Sequence, residues 1–253
     1  MYTQYYKEYS HNLGRDMEFK VYGHAGIPFV VFPCQDGKFY DFEDRGMVDT
    51  VAGHIENGLI QLYCIGCVDE ETWSAKYGDH HGRIMWHQQY EKYVCEEFLP
   101  RLHEIHGITD PTDYHGRVML TGASMGGYHC VNFYLRNPDL FGGCLSLSGL
   151  FHASYFFENY SDMDVYFNSP TDYMRNMPWD HPYVNEYRNG KIVICCGQGA
   201  WEDEAKVDAR IMKEQFDRLG VPAWIDLWGE DVNHDWPWWK VQFPYHIDKL
   251  LGY

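Results

Sequence analysis

The sequence predicts an α/β fold with a mostly parallel central sheet and helices on both faces. Short runs of apolar, β-branched or aromatic residues alternate along the chain with longer segments of helical pattern, as in βαβ units. Several of the runs, such as FVVF, VML and IVICC, are apolar at every position. Such runs are typical of strands that are covered on both faces. The two observations together favour a doubly wound sheet.

The elements follow from these patterns in chain order. The predicted strands are Glu18–Tyr22, Phe29–Pro33, Leu59–Cys67, Arg117–Thr121, Cys144–Ser148, Ile192–Cys196 and Ala223–Trp228. The predicted helices are Asp44–Asn57, Ile84–His106, Met125–Asn137, Asp203–Leu219 and Trp238–Leu251. The chain contains no internal repeat and no obvious linker, so we expect a single domain that spans residues 1–253.

One stretch, Leu150–Gly190, breaks the alternation of strands and helices. It is rich in aromatic residues, Asn, Asp and Pro, and it is too long for an ordinary connection between two elements. We interpret it as an aromatic-rich, cap-like insertion, residues 150–190, over the carboxyl edge of the sheet.

Composition and charge exclude several classes of function. The chain has 253 residues, of which 45% are hydrophobic and 23% charged, as in ordinary globular proteins. Lys and Arg number 20 and Asp and Glu 37, so the formal net charge is −17. This charge repels phosphate backbones and anionic lipid headgroups, and we therefore expect no nucleic-acid and no membrane partner. A neutral or cationic small molecule is the expected ligand.

The location predicted from the sequence is cytoplasmic. The chain contains no run of about 18 apolar residues and no apolar signal core near its N-terminus. A secreted form from which the signal had been removed would have the same sequence. The chain has eight cysteines, seven of which lie in or beside apolar stretches, and we expect them to be reduced. The oligomeric state is left open.

The segment RVMLTGASMGG contains the pattern G-x-S-x-G, with Ser124 at its centre. An apolar strand precedes this pattern and an apolar helix follows it, which is the context of a nucleophile elbow. The tight turn crowds the backbone at Gly122 and Gly126, where only glycine fits. The backbone N–H of Met125 then lies at the positive end of a helix, where it can stabilise an oxyanion.

A serine hydroxyl is a weak nucleophile and requires a general base. In folds with this elbow, the serine is followed in the chain by an acid and then by a histidine. Among 14 histidines, His234 is the best candidate, because it lies in a polar turn between the last predicted strand and the last helix. His129 and His246 fall within predicted helices and are interpreted as structural or surface residues.

The acid is expected in the loop after the strand KIVICC, whose sequence is GQGAWEDE. We prefer Glu202, the first carboxylate after the strand. Asp203 and Glu204 also suit the first turn of the next helix, where negative charge is favourable. Asp231 and Asp235, which flank the histidine, are further alternatives.

A second oxyanion donor is expected from the loop after the strand FVVF. Gly37 allows the backbone to turn there, and either Lys38 or Phe39 is placed to offer its N–H. We choose Lys38.

The aromatic residues have two interpretations. Those of the insertion either line a substrate pocket or only hold the insertion together, and Phe151, Tyr155 and Trp179 are the candidates for substrate contact. Phe156, Tyr160 and Tyr166 belong to the same group. The tryptophans of the segment HDWPWW are expected to pack the last helix onto the sheet.

No cofactor and no metal ion are expected. Cys64 and Cys67 form a single C-x-x-C pair within a predicted strand, where the two side chains would point to opposite faces. The segment from Asp79 to His81 lacks a ligand set of recognisable spacing and is interpreted as a polar loop before a helix.

These motifs resemble the putative-esterase group of the α/β-hydrolase superfamily. The resemblance rests on GASMGG, on the downstream RNPDLFGGCLSLSG and on HDWPWW, and extends from about Gly14 to Leu251. The group includes feruloyl and acetyl-xylan esterases, S-formylglutathione hydrolase and the antigen 85 proteins. It implies an α/β-hydrolase fold, a Ser-acid-His triad, no metal and acyl-enzyme chemistry. Asp36-Gly37-Lys38 is similar to the group's oxyanion loop.

One position departs from the group. Many members carry the acid as Asp three residues after the Gly that ends the strand, and this position is Ala200 in the present sequence. The acid must therefore come from an altered loop.

The sequence thus predicts a serine esterase acting on a small-molecule ester, with a sugar or an aromatic acid as possible components. Acyl transfer to an alcohol would use the same acyl-enzyme and is an alternative. A non-catalytic module that binds a carbohydrate or another ligand in the same fold is the alternative from a different class.

Overall fold

The computed structural model describes residues 1–108, 118–158 and 160–252, which form an eight-stranded sheet with helices on both faces. The strands are β1 (Thr3–Ser10), β2 (Arg15–Tyr22), β3 (Ile27–Phe32), β4 (Ile60–Ile65), β5 (Met119–Ala123), β6 (Gly143–Leu147), β7 (Lys191–Cys196) and β8 (Trp224–Leu227). Their spatial order is β1-β2-β4-β3-β5-β6-β7-β8. The pairs β1–β2 and β2–β4 are antiparallel and all other pairs are parallel. The predicted α/β fold with a mostly parallel sheet is therefore confirmed.

The helices of the described chain are mostly short before β5 and in the insertion. They are α1 (Asp41–Asp44), α2 (Met47–Thr50), α3 (Ala52–Glu56), α4 (His80–Lys92), α5 (Leu99–His106), α6 (Met125–Arg136), α7 (Ser154–Phe157), α8 (Met163–Tyr166), α9 (Pro170–Asn176), α10 (Pro182–Asn189), α11 (Asp203–Leu219) and α12 (Trp236–Leu251). A 3-10 turn covers Asp69–Glu71, and a π-helical segment, Tyr93–Phe98, joins α4 to α5. No helix of the described ranges is long and apolar enough to span a lipid bilayer.

The strands of the sheet centre are apolar at every position because both faces are covered. In β3, Val30 and Phe32 point into one core with residues of α4, α6 and α11. Phe29 and Val31 point to the opposite face and pack with residues of α1, α3 and α12. Successive strand residues alternate between faces, so one continuous apolar run supplies two cores. This is the arrangement expected from the run FVVF.

Strand β1 is absent from the predicted elements. Its sequence, TQYYKEYS, is largely polar and most of its side chains are exposed, because it lies at the edge of the sheet. It pairs with β2 along its whole length, and the rings of Tyr6 and Phe19 stack at 4.7 Å. A search for apolar runs misses such an edge strand, since its tyrosines are interspersed with polar and charged residues.

Two predicted helices differ from the structure. The segment Asp44–Asn57 is divided among three short helices, because Gly46 has a φ of +70° and Val51 has a φ of −118°, both outside the helical range. The predicted helix Ile84–His106 begins earlier, at His80, and contains the π-helical segment. Asp79 caps its first turn by accepting from two backbone N–H groups, as expected for a polar loop before a helix.

The other boundaries agree within a few residues. The strand predicted over Leu59–Cys67 is limited to β4, so Cys67 lies beyond it. Arg117, the first residue of another predicted strand, lies outside the described residues. All eight cysteines are free.

The insertion, residues 150–190, contains the four short helices α7 to α10. Ala153 and Phe157 of this segment pack with Trp73 and Tyr128 in a small separate core. The ring of Trp73 contacts the rings of Phe157 and Tyr128 at 5.2 and 4.5 Å. The beginning of the insertion is thereby anchored to the helix that follows β5.

Candidate active site

Ser124 occupies the sharp turn between β5 and α6. Its backbone has a φ of 55° and a ψ of −119°, a conformation that non-glycine residues rarely adopt, and its N–H donates to the Leu147 carbonyl at 2.9 Å. A Cβ atom at Gly122 would lie 2.5 Å from the carbonyl carbon of Gly126, and one at Gly126 would lie 2.3 Å from the Phe32 oxygen. The two glycines are therefore required by the close approach of backbone segments, as the elbow pattern predicts.

His234 follows β8 and reaches the elbow from the neighbouring loop. Its Nε2 atom lies 2.9 Å from Oγ of Ser124. The backbone N–H of His234 donates to the Ala200 carbonyl at 3.0 Å, and the side chain of Asn233 accepts from the Ala200 N–H at 2.8 Å. The imidazole also packs edge-on against Trp239, with ring centroids 5.0 Å apart. The loop and the ring are thus held by contacts independent of the serine.

Glu202 lies at the start of α11 and is completely buried. Its Oε2 atom is 3.5 Å from Nδ1 of His234, and neither atom has another hydrogen-bond partner in the described chain. Its Oε1 atom accepts from Oγ of Ser148 at 2.6 Å and from the Gly197 N–H at 3.3 Å. The separation of 3.5 Å exceeds a normal hydrogen bond, as is common in resting sites whose contacts shorten when substrate binds.

The alternative acids do not face the imidazole. Asp203 is 81% exposed and pairs with Lys206. Glu204 is 57% exposed and lies 3.8 Å from Nε2 of His152. Asp231 is exposed, and Asp235 caps α12 through its side chain. Of the five carboxylates weighed from the sequence, Glu202 is the one in contact with His234.

A cavity of about 290 Å³ opens above Ser124. Its walls come from the elbow, the start of α6, the loops after the strands and the helices α7 and α11: Gln35, Ser124, Met125, Leu150, Tyr155, Phe156, Trp201, Glu204 and His234. Tyr155 and Phe156 belong to the first part of the insertion, so this part lies beside the elbow at the carboxyl edge of the sheet. Cavities of this size hold small molecules.

The comparison with known proteins identifies the family. A family model described as "Putative esterase" matches residues 10–250. The chain belongs to the putative esterase family. This esterase is a carboxylic ester hydrolase of the α/β-hydrolase fold, and the predicted family, fold and class of reaction are confirmed. No curated protein matches the chain.

Solved structures with low sequence identity share the fold of this esterase. A ferulic acid esterase is 17% identical with a TM-score of 0.76, and the match covers 99% of this chain and 98% of that one. Fluorophosphonate-binding serine hydrolase F of Staphylococcus aureus is 15% identical, with a TM-score of 0.73 and coverage of 100% and 99%. An S-formylglutathione hydrolase of Staphylococcus aureus is 16% identical, with a TM-score of 0.68 and coverage of 99% and 97%.

Lys38, chosen from the sequence as an oxyanion donor, does not line the cavity of the esterase. The Gly37 N–H donates to the Cys34 carbonyl at 2.9 Å, which turns the chain away from the cavity after Gln35. The Lys38 ammonium lies 3.4 Å from Glu70. Gln35 is the residue of this loop that borders the cavity. A turn of four residues, Cys34 to Gly37, decides which residue of the loop borders the cavity, and the sequence pattern does not indicate where this turn lies.

Two of the three proposed substrate contacts also lie elsewhere. Phe151 is buried in the main core, and its backbone N–H donates to the carboxylate of Asp208. Trp179 is 69% exposed and is not part of the cavity wall. Tyr155 does line the cavity, together with Trp201, which is not among the predicted contacts. Trp201 directly precedes Glu202, the preferred acid, and this position in the sequence could have indicated that Trp201 lines the cavity.

His152, beside the cavity wall, has a shifted pKa. The pKa of His152 is raised, first because its Nδ1 hydrogen-bonds to the Asp208 carboxylate at 2.6 Å and also because Glu204 lies nearby. Asp208 is buried and also accepts from the Phe151 N–H. His152 therefore connects the insertion to α11, beside the cavity wall.

Two clusters of the described side chains bring three potential metal ligands together. One consists of Cys195, Asp226 and His246, and the other of His81, Asp162 and Asp164. In the first, His246 already contacts Asp226 at 3.0 Å, and in the second, His81 contacts Asp162 at 2.9 Å. None of these residues forms part of the cavity wall above Ser124.

Proposed function

We propose that this esterase hydrolyses a small carboxylic ester by a double displacement in which Ser124 carries the acyl group. The observation that supports this most directly is the 2.9 Å contact between Nε2 of His234 and Oγ of Ser124. This distance supports His234 as the base that takes the proton of a serine at the tip of a nucleophile elbow.

In the acylation step, Oγ of Ser124 attacks the ester carbonyl while Nε2 of His234 takes the hydroxyl proton. This requires the Nδ1–H tautomer, which points its proton at the Glu202 carboxylate. Glu202 orients the imidazole and stabilises the imidazolium that forms. The imidazolium then protonates the leaving alcohol, and the acyl group remains on the serine as an ester.

The tetrahedral intermediate carries a negative charge on the former carbonyl oxygen. We assign the Met125 backbone N–H, at the start of α6, as one donor to this oxygen. The second donor is assigned to the backbone N–H of Gln35, which replaces Lys38 because Gln35 borders the cavity.

The second displacement repeats these roles with water. His234 removes a proton from the water molecule, whose oxygen attacks the acyl carbon. The imidazolium then returns the proton to Oγ of Ser124, and the carboxylic acid leaves. The ester and one water molecule are consumed, whereas the serine and the histidine return to their starting states.

The cavity favours a small ester that carries an aromatic acid or a sugar. Tyr155, Phe156 and Trp201 offer flat apolar surfaces on which either component can stack. Glu204 adds a carboxylate to the wall, and the chain as a whole has a net charge of −17. Both charges disfavour an anionic substrate.

The substrate class is tested with a pair of esters of equal size, one neutral and one carrying a free carboxylate. We expect kcat/KM to be higher for the neutral ester, and Glu204→Gln to reduce that preference by about threefold or more. Asp203→Asn is the matched control, because Asp203 is an exposed neighbour outside the cavity wall. An equal rate for both esters would contradict the charge argument.

A further inference from the structure

Ser148 has an unusual backbone and a buried hydroxyl next to the proposed triad. It directly follows β6 and is fully buried. Its φ is +53°, a region that favours glycine over any residue with a side chain. Its N–H donates to the Cys195 carbonyl at 2.7 Å, which holds this conformation. A strained serine in place of glycine points to a use for its hydroxyl.

The hydrogen bonds of this hydroxyl have only one possible direction. The indole Nε1 of Trp239 lies 3.0 Å from Oγ of Ser148, and since an indole N–H can only donate, the serine oxygen accepts. The hydroxyl proton is then free to point at Oε1 of Glu202, 2.6 Å away. A carboxylate only accepts, so the chain of donors runs from Trp239 through Ser148 to Glu202.

This series of hydrogen bonds from Trp239 through Ser148 to Glu202 determines which carboxylate oxygen faces the imidazole. Oε1 of Glu202 is occupied by the Ser148 hydroxyl and the Gly197 N–H. Within the described chain, Oε2 is left without another partner and points toward Nδ1 of His234. A glutamate has one more rotatable bond than the aspartate usual in the family, so its carboxylate needs an additional contact to keep one orientation.

We propose that Ser148 is a positioning residue of the esterase, which fixes the Glu202 carboxylate toward His234 and is itself aligned by Trp239. This inference rests on the proposed roles of Ser124, His234 and Glu202. Trp239 contributes twice, because its ring also packs against the imidazole of His234. The acid and the base are thereby both held by one side chain of α12.

The test replaces Ser148 by glycine. Ser148→Gly removes the hydroxyl, while a φ of +53° suits glycine, so the fold is retained. We expect kcat for p-nitrophenyl acetate to fall roughly 10-fold to 100-fold, the range for loss of a hydrogen bond to a charged group, with KM within about twofold. Ser146→Ala is the matched control, since Ser146 is buried in β6 and its hydroxyl forms no hydrogen bond to the described residues of the triad.

A second variant tests whether Ser148 acts through Glu202. In a Glu202→Gln background, Ser148→Gly should cost less than about threefold in kcat, because the carboxylate that it positions is gone. An equal loss in both backgrounds, or an unchanged kcat in Ser148→Gly alone, would overturn the proposal. Trp239→Phe keeps a ring and removes the N–H, and we expect it to lower kcat by less than Ser148→Gly.

A spectroscopic measurement separates this inference from the proposed reaction. The Nδ1 proton of His234, identified by its loss in His234→Gln, should give a low-field NMR resonance through its contact with Glu202. We expect Ser148→Gly to move this resonance upfield or broaden it, whether or not the protein turns over an ester. An unchanged resonance would refute the role of Ser148, whereas a wild-type protein without turnover would refute the proposed function alone.

Discussion

Oγ of Ser124 and Nε2 of His234 lie 2.9 Å apart, although the two residues are separated by 110 positions in the chain. Each is held by its own backbone contact, Ser124 to the Leu147 carbonyl and His234 to the Ala200 carbonyl. Ser124 and the proposed base, His234, are therefore aligned by the sheet edge and its loops before any substrate is bound. Such preorganisation lowers the cost of reaching the transition state.

Replacing Ser124 by alanine should abolish ester hydrolysis, because no other nucleophile occupies the elbow. Serine and alanine both have a Cβ atom, so the substitution adds no strain at the φ of 55°. The melting temperature should therefore stay within a few degrees. Turnover of p-nitrophenyl acetate measures the loss of hydrolysis, and a thermal melt measures the stability. Ser154→Ala, an exposed serine of α7, is the control, and activity of Ser124→Ala near the wild-type level would refute the assignment.

Replacing His234 by alanine should reduce kcat by about 10³-fold or more, as losses from a triad generally do. The reason is that Ser124 then has no base at 2.9 Å to take its proton. Steady-state kinetics measure the effect, with His11→Ala at an exposed histidine as the control. A loss below about tenfold would assign the base to another group.

Glu202→Gln should cost more activity than Asp203→Asn. The amide has almost the same shape as the carboxylate, but it has no charge with which to stabilise the imidazolium, and we expect kcat to fall by roughly 10²-fold to 10⁴-fold. Asp203 is 81% exposed and pairs with Lys206, so its replacement should change kcat by less than about twofold. The opposite ranking would assign the role of the acid to Asp203 instead of Glu202.

The elbow glycine Gly126 should not tolerate a side chain. A Cβ atom there would lie 2.3 Å from the Phe32 oxygen and 2.7 Å from the Pro33 oxygen, both on the backbone. We expect Gly126→Ala to lower the free energy of unfolding by at least about 3 kcal/mol. Gly53 in α3 has open space around it, so Gly53→Ala should be neutral or stabilise by up to about 1 kcal/mol.

Urea denaturation of both variants measures this difference. Equal stability of Gly126→Ala and the wild-type protein would contradict the described approach of β3 to the elbow.

The pair of His152 and Asp208 should make stability depend on pH. Its hydrogen bond to Asp208 raises the pKa of His152 above the ordinary value of 6.5, and Glu204 adds to the shift. A raised pKa means that the folded state binds the proton more tightly, so the stabilisation is complete below about pH 6.5 and is lost as the pH rises through the folded-state pKa. The stability lost in His152→Gln should therefore be larger under mildly acidic than under alkaline conditions.

Urea denaturation of the wild-type protein and His152→Gln at a series of pH values provides the measurement. A difference in stability that is constant over the whole range, or that grows as the pH rises, would contradict a raised pKa of His152 in the folded state.

The sequence was sufficient to predict the elbow, the fold and the family. G-x-S-x-G between an apolar strand and an apolar helix depends on contacts local in the chain, and the close approach at Gly122 and Gly126 follows from it. His234 and Glu202 were chosen by their positions after consecutive strands, whose carboxyl ends lie at one edge of a parallel sheet.

The remaining parts of the site depend on how loops turn. Lys38 and Gln35 lie three residues apart in one loop, and only the turn at Gly37 decides which of them borders the cavity. Ser148 carries no motif signal, because its role depends on Trp239 and Glu202, which come from distant elements. Phe151 was predicted to contact substrate but lies in the main core. The sequence does not distinguish the two, because an aromatic residue in an insertion suits a core as well as a pocket.

The most direct test of the catalytic role of Ser124 is labelling of the protein with a fluorophosphonate, read by intact mass and mapped by peptide analysis. We predict one adduct, located on Ser124, with labelling much slower in His234→Ala and absent in Ser124→Ala. An active protein that forms no adduct, or an adduct on another residue that persists in Ser124→Ala, would contradict this role.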